Sequence, residues 1–235
     1  MTPMETTPTA TVGLHGSAST WVFNVVRELT AAALGEERVA PIYADEVAQL
    51  PAGETRALVI KSHHGSVELD AWLAARRARI VLSARDPRDC CISMAKRFEA
   101  PLGATVRWLA ADCNRIARLA ASGYPLLRYE DRFFERFEAV GFVARTLGVD
   151  LAPAILADVF ERYRTESVRA FARTIADMPD ERVTWVGKSK MDRVTQIHAP
   201  HIGDGRVGKW RDLPPAAQAE ITRVFAPFLR RFGYG

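Results

Sequence analysis

The chain has 235 residues, 48% of them hydrophobic and 26% charged, and a net charge of +4 spread along its length. That is enough to bury one substantial core, and without a basic block it excludes a nucleic-acid tail or a membrane-binding stripe. Three cysteines, Cys90, Cys91 and Cys113, are odd in number with two adjacent, so neither a disulfide framework nor a standard metal-ligand spacing is expected.

Residues 1–9, rich in Thr and Pro, are expected to form a loose tail ahead of a single domain over residues 10–235. They have neither the basic start nor the apolar core of a signal peptide, and no apolar run reaches transmembrane length. A soluble protein of the reducing cytoplasm is the expectation, with no nucleic-acid partner and no membrane insertion. Apolar runs at 11–14, 57–60, 80–84 and 125–127 suit buried parallel strands, each followed by a helical pattern. The fold class is therefore α/β, three layers, with a central mostly parallel sheet flanked by helices. In such sheets functional residues collect beyond the carboxyl ends of the strands. Residues 133–176 read as largely helical, 178–206 as a long loop or lid, and 214–232 as a final helix entered through two prolines. Loops are expected at 35–56, 98–107 and 178–202.

The first strand runs into Leu14-His15-Gly16-Ser17-Ala18-Ser19-Thr20-Trp21, and Val22, Val25, Val26 and Leu29 follow at helical spacing. A helix start leaves backbone N–H groups without partners and carries the positive dipole end, so a turn of small residues there can cradle a phosphate or sulfate. The nucleotide loop G-x-x-x-x-G-K-[ST] is absent. Later strands end in Lys61-Ser62-His63-His64, in Arg85-Asp86-Pro87-Arg88-Asp89 with Ser93 in the helix that follows, and in Tyr129-Glu130-Asp131. Two anion positions emerge, the helix start after Gly16 and the pair Arg85 with Ser93, which suits a nucleoside phosphorylated at both ends. His63 is the candidate general base and Lys61 the fixed cation for charge that develops in transfer.

Taken in order, these segments resemble the sulfotransferases that use 3′-phosphoadenosine-5′-phosphosulfate. Ser17–Trp21 is similar to the second half of their P-K-S-G-T-T-W loop, Lys61-Ser62-His63 to K-[ST]-H, Arg85–Ser93 to the 3′-phosphate element, and Gly205-Arg206-Val207-Gly208-Lys209-Trp210-Arg211 to G-x-x-G-D-W-[KR]. The resemblance implies a P-loop-like fold, transfer of a sulfonate to a hydroxyl or amine of a small-molecule or glycan acceptor, 3′,5′-bisphosphoadenosine as product, and no metal. It assigns Gly16, Ser17, Ala18, Ser19 and Thr20 to the 5′-phosphosulfate, Trp21 and Tyr129 to adenine, Arg85 and Ser93 to the 3′-phosphate, and Gly205 with Arg206 to closure over the nucleotide. The loop cation of that family is replaced here by Gly16, and its basic pair before the last glycine motif by Gly203 and Asp204. His15, Lys61 or a cation among Lys188, Lys190 and Arg193 is expected to take over from the loop cation, and His198 and His201 are assigned to acceptor or lid contacts. The alternatives are a P-loop-type small-molecule or nucleotide kinase, and a nucleotide-binding protein that has lost catalysis.

Overall fold

The computed structural model describes residues 7–199 and 202–235. Its centre is a five-stranded, wholly parallel sheet built from β1 (Thr9–Gly13), β2 (Val39–Tyr43), β3 (Ala57–Ser62), β4 (Arg79–Ala84) and β5 (Leu126–Arg128), in the order β2-β3-β1-β4-β5. Helix α1 (Ser19–Leu34) follows β1, α2 (Val67–Ala75) joins β3 to β4, and α3 (Pro87–Phe98) with α4 (Leu102–Ala121) joins β4 to β5. Beyond β5 come α5 (Phe137–Leu147), α6 (Pro153–Tyr163) and α7 (Thr165–Thr174). An antiparallel hairpin of β6 (Val183–Val186) and β7 (Ser189–Asp192) then leads to α8 (Pro215–Phe232).

Successive strand side chains point to opposite faces, so the sheet divides its apolar residues between two cores. Ala10, Val12, Ile60, Ile80 and Leu82 pack with α2, α3, α4 and α8 through residues such as Leu73, Leu109, Ile116 and Phe225. Val59 and Val81 pack on the other face with α1, α5, α6 and α7 through Phe23, Val26, Val140 and Leu147. Ile80, Val81 and Leu82 are at most 2% exposed, and each contributes roughly 1.5–3 kcal/mol by burial. The connection leaving β1 runs to β2 on one side of the sheet and the connection leaving β3 runs to β4 on the other, which opens a crevice at the carboxyl edge.

Four expected segments differ. Thr7 and Thr9 are buried and β1 begins at Thr9, so the ordered chain starts before the end of the expected 1–9 tail, because these residues pair with or lie beside the central strands; residues 1–6 lie outside the described part. The 178–206 segment is not a plain loop. It carries the β6–β7 hairpin, a bridge between Met191 and His198, and buried Asp192, Thr195, Gln196 and Ile197. The Asp192 carboxylate holds it together, accepting from Thr195 Oγ1 at 2.5 Å and from Arg182 Nε at 2.5 Å. Strand β2 lies inside the expected loop at 35–56, and α4 takes up most of the one at 98–107. No helix among the described residues is long and apolar enough to cross a membrane.

Candidate active site

The turn between β1 and α1 is shaped for close approach. Gly13 has no room for a side chain, since a Cβ there would lie 2.1 Å from Ser83 Oγ; Gly16 has φ +79°, and Ala18, at the helix start, has φ 60° with no side chain capping α1. A left-handed residue just ahead of an uncapped helix turns the first N–H groups, those of Ser19 and Thr20, outward as anion donors. The hydroxyl of Ser17 does not join them, contrary to the expectation for this residue. It is fully buried and donates to Leu14 O at 2.6 Å beside Ser83 Oγ at 2.9 Å, bracing the turn from within.

Lys61, at the end of β3, reaches across β1 and donates from Nζ to Thr20 Oγ1 at 2.7 Å. Burial, reinforced by the Arg97 charge, pushes its ammonium down to about 7. Of the cations expected to replace the one missing at Gly16, this is the one bonded to the turn. Lys188 is paired with Glu99 at 2.7 Å, Lys190 donates to Ala176 O at 3.1 Å, and burial holds His15 below its ordinary value.

His63 is 7% exposed, and its Nδ1 lies 2.5 Å from Gly13 O. A carbonyl can only accept, so Nδ1 carries the proton and Nε2 offers the lone pair. Burial first, and then the neighbouring His15, hold the imidazole well below its ordinary value, so it is neutral. Asp45 fixes its backbone, accepting from His63 N at 2.8 Å, Ser62 Oγ at 2.7 Å and Tyr43 Oη at 2.6 Å. Arg115 of α4 adds bonds to Ser62 Oγ at 2.7 Å and His63 O at 3.2 Å. Sequence reasoning did not find Asp45. The signal was present in Val39–Tyr43, which as a strand beside β3 puts the next acidic residue at the same sheet edge as Lys61.

The second cluster lies across the crevice at the end of β4. Asp86 caps α3, accepting from Arg88 N at 2.9 Å, with Pro87 as the first helical residue, so Ser93 sits nearly two turns in. A Cβ on Gly16 would lie 3.7 Å from that of Ser93, which brings the α1 turn and α3 side by side. Arg85 is 3% exposed and bonds Gly16 O at 3.2 Å and Arg206 O at 2.8 Å, with its guanidinium 4.1 Å from the Tyr129 ring centre. Its Nε is buried without a partner. Arg85 does pair with Asp89, at 3.4 Å, but Asp89 also accepts from Gly208 N at 2.7 Å and Trp210 N at 3.1 Å. This carboxylate therefore docks the C-terminal glycine segment onto α3, a role missed in the sequence. Gly205 O accepts from Tyr129 Oη at 3.4 Å. The Arg206 side chain turns away to pair with Asp212, leaving its backbone carbonyl at the site.

Trp21 is 6% exposed and packs edge-on against Phe133, with Nε1 buried and unpartnered. His198 is buried, and burial followed by Arg97 and Lys61 pushes it down to about 3. His201 lies outside the described residues. No metal ligands were expected, because no carboxylate stands at ligand spacing from a histidine in sequence. The fold nevertheless brings Asp112 of α4 to His64, at 2.6 Å, and near His15, at 3.8 Å.

No protein-family model matches the sequence, and no curated protein matches it. Solved structures match the fold. A mouse sulfotransferase complexed with PAP superposes with a TM-score of 0.67 at 12% identity, covering 95% of this chain and 84% of that one. Retinol dehydratase in complex with androsterone and the inactive cofactor PAP gives 0.60 at 16% identity over 97% of this chain and 82% of that one. Its complex with retinol and PAP gives 0.57 at 16% identity with the same coverage. The protein has the α/β fold of these structures, with the helix-flanked parallel sheet expected from its sequence.

Proposed function

We propose that the protein is a sulfotransferase, which moves the sulfonate of 3′-phosphoadenosine-5′-phosphosulfate to a hydroxyl or amine of a small-molecule or glycan acceptor. The observation that carries this reading is the pairing of two cationic sites across one crevice: Lys61 at the α1 start, and Arg85 with Ser93 at the α3 start, held side by side through Gly16. Two anion sites of this kind match a nucleotide phosphorylated at both its 5′ and 3′ positions and leave one site unused by ATP or AMP. The residues fit such a nucleotide: α1 is uncapped, and the buried Arg85 Nε has no acceptor.

In this reading the first N–H groups of α1 and Lys61 hold the 5′-phosphosulfate, and Arg85 with Ser93 holds the 3′-phosphate. Tyr129 and Trp21 flank the adenine, and the segment from Gly205 closes over it, fastened by Asp89. The acceptor oxygen or nitrogen attacks sulfur, a new bond to sulfur forms, and the bond from sulfur to the 5′-phosphate oxygen breaks. Nε2 of His63 takes the acceptor's proton, and its Nδ1–H bond to Gly13 O stabilises the imidazolium that results. Lys61 stabilises the charge that gathers on the departing phosphate. The likeness to retinol dehydratase, described with androsterone or retinol bound, favours an acceptor of small-molecule size.

The test has two stages. Thermal unfolding is followed with 3′,5′-bisphosphoadenosine, AMP and ATP, and at 100 times its dissociation constant the bisphosphate stabilises by about 2.7 kcal/mol. Transfer of labelled sulfonate to a panel of phenols, sterols, retinoids and sugars then reads the activity. Equal shifts with ATP would favour a kinase, and binding with no transfer to any acceptor would favour a silent nucleotide-binding protein.

A further inference from the structure

Beside His63 is a group of side chains that the transfer reaction does not use. His15 comes from the β1–α1 turn, His64 from the end of β3, and Asp112 from the middle of α4, and one donor atom from each lies within 4.8 Å of the others. Asp112 is 2% exposed, and its Oδ1 accepts from His64 Nδ1 at 2.6 Å. Its Oδ2 is buried with no hydrogen-bond partner. His15 Nδ1 is equally buried and unpartnered, 3.8 Å from that same oxygen, too far for a hydrogen bond. A buried carboxylate oxygen and a buried imidazole nitrogen that face each other across such a gap, each without a partner, are costly unless something sits between them.

We propose that His15, His64 and Asp112 form a binding site for a divalent transition ion of the zinc class, tying the β1–α1 turn to α4. Two imidazoles and one carboxylate are the donor set of open, three-ligand zinc sites, with a fourth position left for water or another oxygen. Magnesium and calcium prefer all-oxygen sets and are disfavoured here. Tetrahedral donors at zinc distances stand about 3.3 Å apart, so the group closes on the ion by shifts of about 1 Å. The most accessible of the three side chains, His64, is 43% exposed and makes most of that movement as it exchanges its bond to Asp112 Oδ1 for the ion, while Asp112 stays fixed in α4.

The position has a consequence for the neighbouring base. The ring of His15 stacks on that of His63 with centres 3.9 Å apart, and Phe98 covers His15 edge-on at 6.1 Å. An ion held by His15 is therefore one ring away from His63, and its fourth position is suited to an oxygen-bearing ligand. His63 is not one of the three residues whose donor atoms converge, and its Nδ1 is held by Gly13 O.

The probe is zinc chloride added to the nucleotide-free protein, so the result does not depend on the sulfotransferase reading. Calorimetry and metal analysis after gel filtration should give one Zn²⁺ per chain, and Co²⁺ in its place should give the intense visible bands of a tetrahedral site. Asp112→Asn and His64→Ala should each weaken zinc binding by about 100-fold or more, while His198→Ala should leave stoichiometry and affinity unchanged. The His64 ring is partly exposed, so His64→Ala keeps the fold and remains decisive if Asp112→Asn unfolds. No zinc uptake by the parent, or uptake unchanged in His64→Ala, would overturn the proposal.

Discussion

Lys61 is the most direct place to measure how this site is built. It is 5% exposed, and burial together with Arg97 pushes its ammonium from the ordinary 10.5 down to about 7. Below about pH 7 both the folded and the unfolded chain carry the charge, and the folded state bears the whole penalty of burying it. Between about 7 and 10.5 the unfolded chain binds a proton that the folded chain has released, so stability rises with pH across that window. The interval corresponds to about 5 kcal/mol. Lys61→Met keeps the stem and removes the titration. The stability of the parent minus that of Lys61→Met should therefore climb by about 4 kcal/mol from about pH 7 to about pH 10. Urea unfolding of both proteins over this range reads the difference, in which the titrations of groups that do not interact with Lys61 cancel. A difference that stays constant with pH would refute the claim that Lys61 is held as a buried, destabilised cation.

The same lysine predicts that 3′,5′-bisphosphoadenosine binds with uptake of a fraction of a proton near pH 8, because a bound phosphate raises the Lys61 pKa; calorimetry in two buffers of different ionisation enthalpy measures it. Arg85→Ala should cut the preference for 3′,5′-bisphosphoadenosine over AMP by about 1.5–3 kcal/mol, the value of a hydrogen bond to a charged group, and an unchanged preference removes Arg85 from the 3′-phosphate site. His63→Ala should lower single-turnover transfer by about 10²–10⁴-fold while nucleotide affinity, read by calorimetry, stays within a few-fold. Asp89→Ala leaves Arg85 without its buried carboxylate and two backbone N–H groups without an acceptor, so denaturant unfolding should show a loss of about 3–5 kcal/mol.

What could be read from the sequence was whatever depends on near neighbours in the chain. Continuous apolar runs ending in Lys61, Arg85 and Tyr129 imply buried parallel strands with chemistry at their carboxyl ends, and those residues do meet at one edge of the sheet. Asp86 and Pro87 announce the start of α3, and two prolines the start of α8. What escaped was long-range. Strand β2, Val39–Tyr43, is apolar but interrupted by Pro41, which argues against a strand in the sequence, and its position at the sheet edge explains why a proline is tolerated there. Asp45, Asp112 and Arg115 act through partners 17 to 53 positions away: the pairing of β2 with β3 brings in Asp45, and the packing of α4 against the sheet end brings in Asp112 and Arg115. The hydroxyl of Ser17 looked like a ligand because small residues at a helix start are ambiguous. Its inward turn follows from the closeness of Ser83, a residue of the neighbouring strand.

The absence of a cation within the α1 turn follows from how the turn is made. Gly16 has φ +79° and gives its carbonyl to Arg85, so any side-chain residue there must adopt a left-handed backbone, at about 1–2 kcal/mol. Gly13 and Ala18 are constrained in the same way, by Ser83 on one side and by φ 60° on the other. A turn pulled this tightly against β4 and α3 offers backbone N–H groups and little else. The positive charge must then come from beside it, and β3 is the neighbouring strand on the open side. Lys61 is placed there by parallel pairing, with Thr11 as its partner on β1, and extends to Thr20 in the first turn of α1. A cation anchored in a strand is more rigidly fixed than one on a loop, and electrostatic stabilisation of a leaving group depends on that fixity. The arrangement divides the work: the turn sets the shape that admits an anion, and the sheet supplies the charge that holds it.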